Sequence, residues 1–157
     1  MPCVASLYWL DGGCQGAAAT SCSVSTPGIA FGNYNVFATT AVTSTATLTV
    51  SCTLSGALLA TVNYTVSMST GSSNTFVQRQ MQGGGYTLGY NLYTSNTYSN
   101  VWGDGTGSTS TVSGSMTLYF FAPTGSATLT AYGQIPAQQD AGVSSAYTDN
   151  IIVTVSY

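Results

Sequence analysis

The sequence has no histidine, no glutamate and no lysine; its fixed charges are Arg79 and four aspartates, so only 3% of its residues are charged. Without an imidazole, none of its many serines has the usual base to activate a hydroxyl, and no Gly-x-Ser-x-Gly elbow occurs. Without lysine there is no Schiff-base chemistry. Asp140 and Asp149 are the only carboxylates close in sequence, which is thin support for paired acid–base work. The chain is therefore expected not to be an enzyme. A single cation leaves no footprint for a polyphosphate backbone, which excludes nucleic acid as a partner. No histidine is present to help build a zinc site. Asp104, in Trp102-Gly-Asp-Gly-Thr-Gly107, lacks the spaced oxygen ligands and closing glutamate of a calcium loop; it reads as a turn former between glycines, and Trp102 reads as packing. No metal or cofactor is expected. No stretch reaches the apolar length that spans a bilayer.

What is present suits a β-rich domain. The 157 residues fit one domain with a real core. Hydrophobic residues make up 44%, including eleven Tyr, five Phe and two Trp, and the remainder is dominated by Thr, Ser, Gly, Asn and Gln. Disordered chains are usually charged and poor in β-branched and aromatic residues, so the Ser/Thr/Gly content does not signal disorder. Half-buried pleated surfaces use this mixture, with threonine toward water and Val, Ile, Tyr or Phe toward a core. A nearly uncharged surface also puts little long-range repulsion between copies, which permits close self-association.

The four cysteines, Cys3, Cys14, Cys22 and Cys52, crowd into the first third of the chain, and an even number without histidine points to disulfides in an oxidising compartment. Three pairings are open. Cys22 and Cys52 each sit in a strand-like run, which favours joining them and leaves Cys3 with Cys14 as a local loop. Val4 to Leu10 is apolar but has no basic flank, and is read as part of the mature protein rather than a signal.

Strict alternation recurs and helical periodicity does not. Thr45 to Cys52 places Ala46, Leu48, Val50 and Cys52 on one side and hydroxyls on the other; Thr61 to Met68 repeats this with Val62, Tyr64, Val66 and Met68. Shorter strands are expected at Tyr86 to Tyr93, Ser115 to Phe121 and Ala127 to Gly133, with Pro123 and Pro136 closing the last two. The run Ile151 to Tyr157 alternates again. Glycine clusters supply turns between these runs. Six or seven strands from Cys22 onward predict an antiparallel sandwich short of its last strand, with an open apolar groove beside Ile151 to Tyr157. Asp149 is expected to cap the start of the final strand, Arg79 to pair with Asp140 or Asp149 inside the fold, and the tyrosines between Tyr86 and Tyr98 to pack across strands or to form an adhesive patch.

Specific pieces then occur in order: Cys22-Ser-Val-Ser25, Phe31-Gly-Asn-Tyr34, Val50-Ser-Cys52, Arg79-Gln-Met81, Leu88-Gly-Tyr-Asn-Leu-Tyr93, Val101-Trp-Gly-Asp-Gly105, Tyr132-Gly-Gln-Ile135, Gly142 with Tyr147-Thr-Asp149, and Val153-Thr-Val-Ser-Tyr157. In these pieces the stretch from Cys22 to Tyr157 resembles the spore coat protein U family, which includes the pilins of archaic chaperone–usher pili of the Csu type. The resemblance implies an incomplete immunoglobulin-like β-sandwich, held in the periplasm by a chaperone and completed at an outer-membrane usher by a donor strand from a neighbouring subunit. Repeated head-to-tail, such links make an open surface filament used in adhesion and biofilm formation. On this reading residues 1–21 are an N-terminal extension and residues 22–157 the pilin domain. Ala5, Leu7 and Trp9 donate; Ile151, Val153, Val155 and Tyr157 line the acceptor groove; Cys22 and Cys52 brace the sandwich. The extension departs from the family's alternation, because Val4, Tyr8 and Leu10 make its other face apolar too, and Cys3 and Cys14 offer a local fold-back instead. The alternatives are a tip adhesin, which requires a self-complete sandwich, and a secreted coat protein that self-associates without a chaperone.

Overall fold

A computed structural model of the chain describes residues 19–157. The expected donor residues Ala5, Leu7 and Trp9 and the expected Cys3–Cys14 bridge lie outside the described residues. Eight strands follow one another: β1 (Ala19–Ser25), β2 (Val42–Ser55), β3 (Leu59–Met68), β4 (Arg79–Gly83), β5 (Tyr86–Tyr93), β6 (Val112–Tyr119), β7 (Thr124–Ile135) and β8 (Val153–Ser156), with one turn of 3-10 helix at Gly71–Ser73. They form two sheets, one of five strands in the order β1-β2-β7-β5-β4 and one of three in the order β6-β3-β8. Every ladder between these strands is antiparallel.

The period-two alternation becomes the sandwich core. Leu48, Val50, Cys52 and Leu54 of β2 are buried against Val62, Tyr64, Val66 and Met68 of β3, while the intervening hydroxyl residues are exposed or half-buried. Each such aliphatic side chain contributes about 1.5–3 kcal/mol on leaving water, and a slip of one residue in either strand would expose all of them. On the solvent side, Thr65 and Ser113 join β3 to β6 by a hydroxyl–hydroxyl bond of 2.9 Å, so the polar half of the pattern also stitches strands together.

The chain crosses between the sheets twice at one end, from β2 to β3 and from β6 to β7; this end is called the turn pole. There Leu54 N donates to Pro123 O at 2.7 Å and Phe120 N to Leu58 O at 2.9 Å, tying the two crossings together. Longer segments, residues 26–41 and 136–152, cover the opposite loop pole.

Several strand limits differ from those expected. β2 and β7 are longer than the alternation suggested because they pair with each other over twelve positions, from Val42↔Ile135 to Thr53↔Thr124, and a central ladder carries residues of weak intrinsic pattern. β6 ends at Tyr119, so Phe120 and Phe121 belong to the turn. Pro136 follows β7 directly, whereas Pro123 stands just before it. β4 brings the count to eight. β8 starts at Val153 because Ile152 is held by Ser69, whose Oγ accepts from Ile152 N while its N–H donates to Ile152 O, each at 2.9 Å.

Cys22 and Cys52 are directly opposed across β1 and β2 and are joined by a disulfide. Their sequence separation of 30 corresponds to about 3–4 kcal/mol in the chain-entropy account. The double substitution Cys22→Ala/Cys52→Ala is expected to lower the unfolding free energy by about that amount, read as a fall in the denaturant midpoint relative to the oxidised chain.

Candidate functional site

The two sheets leave one side of the sandwich unlaced. β1 is an edge strand paired only with β2, and β8 is an edge strand paired only with β3, through Thr65 to Met68. These two edges face each other without a ladder between them among the described residues. Between them, toward the loop pole, a cleft of about 300 Å³ opens into the core; Leu48, Met68, Leu92, Ile151 and Val153 line it.

Side-chain size explains the empty volume. Ala46 of β2 and Ala131 of β7 are cross-strand partners on the inner face and both line the cleft. Both side chains are single methyl groups, so space is left in front of Ile151 and Val153, which pack against the core only in part. The near wall is the segment after β1. Ile29 and Phe31 lie flat on β7 at Gly133, where a Cβ would come within 2.6 Å of both side chains, and the Phe31 ring meets Tyr90 edge-on at 5.9 Å.

One end of the cleft is polar. The Tyr90 hydroxyl donates to Asp149 Oδ2 at 2.7 Å, and Asp149 Oδ1 accepts from Ser72 N, Ser72 Oγ and Asn150 N, each at 2.9 Å. Burial, reinforced by the hydrogen bond to the Asp149 carboxylate, holds the Tyr90 phenol well above its ordinary range. Asp149 thus pins the segment leading into β8 to the 3-10 turn, as a cap at that strand's start requires.

Arg79 has a different partner set from the one expected. The side chain is wholly buried, yet its guanidinium donates to Ser69 O at 2.9 Å, Asn91 Oδ1 at 2.7 Å and Trp102 O at 2.7 Å rather than to a carboxylate. It also lies over the Phe76 ring at 5.2 Å. Asp149 acts on it only through space, and burial draws its pKa below the ordinary arginine value. The fork of donors suits three neutral acceptors arriving from different segments better than one bidentate anion. Trp102 is buried as well, donating its indole N–H to Val66 O at 2.9 Å, so it is a packing residue. Asp104 accepts from Thr106 N and Thr106 Oγ1 in an exposed turn, and those hydrogen bonds lower its pKa.

The residues expected to line an acceptor groove sit as follows. Ile151 and Val153 line the cleft, Val155 packs against the core further along β8, and Tyr157 is exposed beyond the strand. The walls made by Ala46, Ala131, Ile29 and Phe31 were not anticipated; the small residues at facing positions of two long strands were the available signal. Among the described residues no three potential metal ligands come together, and no helix is long and apolar enough to cross a membrane.

The Spore Coat Protein U domain matches residues 14–154, and the chain belongs to that family. No curated protein matches the sequence. In fold the chain is similar to a chain of the solved CsuC–CsuE chaperone–tip adhesion subunit pre-assembly complex from the archaic chaperone–usher Csu pili of Acinetobacter baumannii, with a TM-score of 0.50 and 19% identity. That similarity covers 88% of this chain and 40% of the other. The architecture shared is an antiparallel, immunoglobulin-like sandwich.

Arg79→Met keeps about the same volume but takes the guanidinium donors away from Ser69 O, Asn91 Oδ1 and Trp102 O, leaving Asn91 Oδ1 with the Leu92 N–H alone. The substitution is expected to cost about 3 kcal/mol or more, measured as a shift in the denaturant midpoint, and Arg79→Lys, with one nitrogen in place of a fork, is expected to recover only part of it.

Proposed function

We propose that this protein is a structural pilin of a chaperone–usher pilus, which polymerises by donor-strand exchange into a bacterial surface filament serving adhesion and biofilm formation. Its role is mechanical and not catalytic. The observation that carries this reading is the unlaced side of the sandwich, where the edges of β1 and β8 face each other over an apolar cleft. Family membership and the likeness to a chaperone-bound pilus subunit complex support it.

The mechanism follows from strand geometry. An incoming strand pairs with the free edge of β8 through main-chain hydrogen bonds, and its alternate side chains drop between the sheets. Residues 3–10 of the next subunit supply it, with Ala5, Leu7 and Trp9 directed inward over Ile151, Val153, Val155 and Tyr157. Each fully buried large apolar side chain adds about 1.5–3 kcal/mol, and the main-chain ladder supplies continuity. Before assembly a periplasmic chaperone fills the same place, and at the outer-membrane usher its strand is exchanged for the subunit's. Because donor and acceptor surfaces differ, each link leaves one of each free, and the product is an open filament. Cys22–Cys52 locks β1, one lip of the seam, to β2.

Removing residues 1–14 tests this. Co-expressed with the cognate chaperone and usher, the truncated chain is expected to accumulate in the periplasm as a folded chaperone complex while surface filaments disappear from electron micrographs. Filaments that persist after the truncation would overturn strand donation by this segment.

A further inference from the structure

The turn pole carries an apolar surface that the strand-exchange reading does not use. Leu58 is 79% and Phe121 95% exposed, Leu59, Tyr119 and Phe120 are more than half exposed, and the Phe120 and Phe121 rings meet edge-on at 5.3 Å. The pairing of Leu59 with Tyr119 and the Phe120 N to Leu58 O hydrogen bond hold the two turns side by side, so the five side chains form one patch. No charged residue occurs within residues 55–59 or 119–124. Contiguous exposed apolar surface of this kind marks an interaction site.

We propose that this patch is a contact surface for a second copy of the chain, packing on the loop pole of the subunit that receives its N-terminal strand. The inference rests on the pilin reading and deepens it. Ala19 pairs with Ser55, so the N-terminal segment leaves the domain at the turn pole, beside the patch. β8 runs from the loop pole, where Val153 faces Met68, toward the turn pole, where Ser156 faces Thr65. A donor antiparallel to β8, like every other ladder here, therefore ends at the acceptor's loop pole. Residues 11–18 bridge from there to Ala19 and reach roughly 28 Å at most. The donating subunit's turn pole is thus drawn to the acceptor's loop pole, which presents Phe37 and Val143, both largely exposed. Apolar surface on both sides, with no charge in the patch and only like-signed carboxylates, Asp140 and Asp149, in the segment that covers the loop pole, leaves no charge repulsion across the contact once the linker has supplied a high local concentration.

Hydroxyl-radical footprinting of filaments assembled by the full chain with its chaperone and usher tests the contact, each peptide's oxidation rate being compared with that in the unfolded chain. Leu58, Leu59 and Tyr119 to Phe121 are expected to react severalfold more slowly in the filament, and Phe120→Ser/Phe121→Ser filaments are expected to dissociate at a lower temperature than the parent. Filaments in which these residues react at the unfolded rate, and in which the double variant is as heat-resistant as the parent, overturn the contact while leaving strand exchange intact; the patch is then free for a foreign apolar surface. A full chain that makes no filament overturns the pilin reading and this inference together.

Discussion

Each strand has two hydrogen-bonding edges, and a sandwich is stable against further pairing only when those edges are laced or covered. β8 spends one edge on β3 and turns the other to the side where β1 has likewise stopped pairing. The rest of the architecture is arranged around that side. The disulfide fixes the β1 lip, Asp149 and Ser69 fix the start of β8, and the small pair Ala46 and Ala131 keeps the floor low between them. A strand entering here meets main-chain donors and acceptors along its edge and an apolar slot under alternate side chains. Loosening either lip would blur the register in which those side chains fit.

The only cation of the chain is not spent on the surface. Arg79 is buried on the three neutral oxygens of Ser69, Asn91 and Trp102, which come from the end of β3, from β5 and from the loop before β6. Ser69 in turn holds Ile152. One guanidinium therefore links the loop-pole segments to the strand that borders the seam. Lacking other basic residues, the molecule depends on hydroxyl and amide groups for solubility, and its near-uncharged exterior leaves apolar surface free to meet apolar surface at short range.

The parts of the fold with period two were legible in the sequence. Ala46 to Cys52 and Val62 to Met68 announce a buried face without reference to anything distant, and Cys52 falls on that face, which made its pairing with Cys22 readable. β4 was not legible as a strand, because its inward positions are Arg79 and Met81 and its outward ones are glutamines, a pattern that only the distant acceptors of Arg79 make sense of. Phe120 and Phe121 read as the end of a strand, since aromatic residues favour strands, but the crossing between sheets turns the chain at Tyr119 and leaves both rings outside. The cleft itself depends on two alanines, eighty-five positions apart, meeting across a ladder, a fact of register rather than of local pattern.

The claim that binds these features is that the sandwich lacks one strand and that residues 3–10 supply it. Appending a second copy of residues 3–10 after Tyr157 through a short turn would let the chain complete itself, running antiparallel to β8. The measurement is the thermal unfolding midpoint and oligomeric state of this extended chain against the unextended one. The account predicts a soluble monomer with a much higher midpoint, and loss of that gain when the appended copies of Ala5, Leu7 and Trp9 are replaced by asparagine. An unextended chain that is already a stable monomer, with no gain from the added strand, would contradict it.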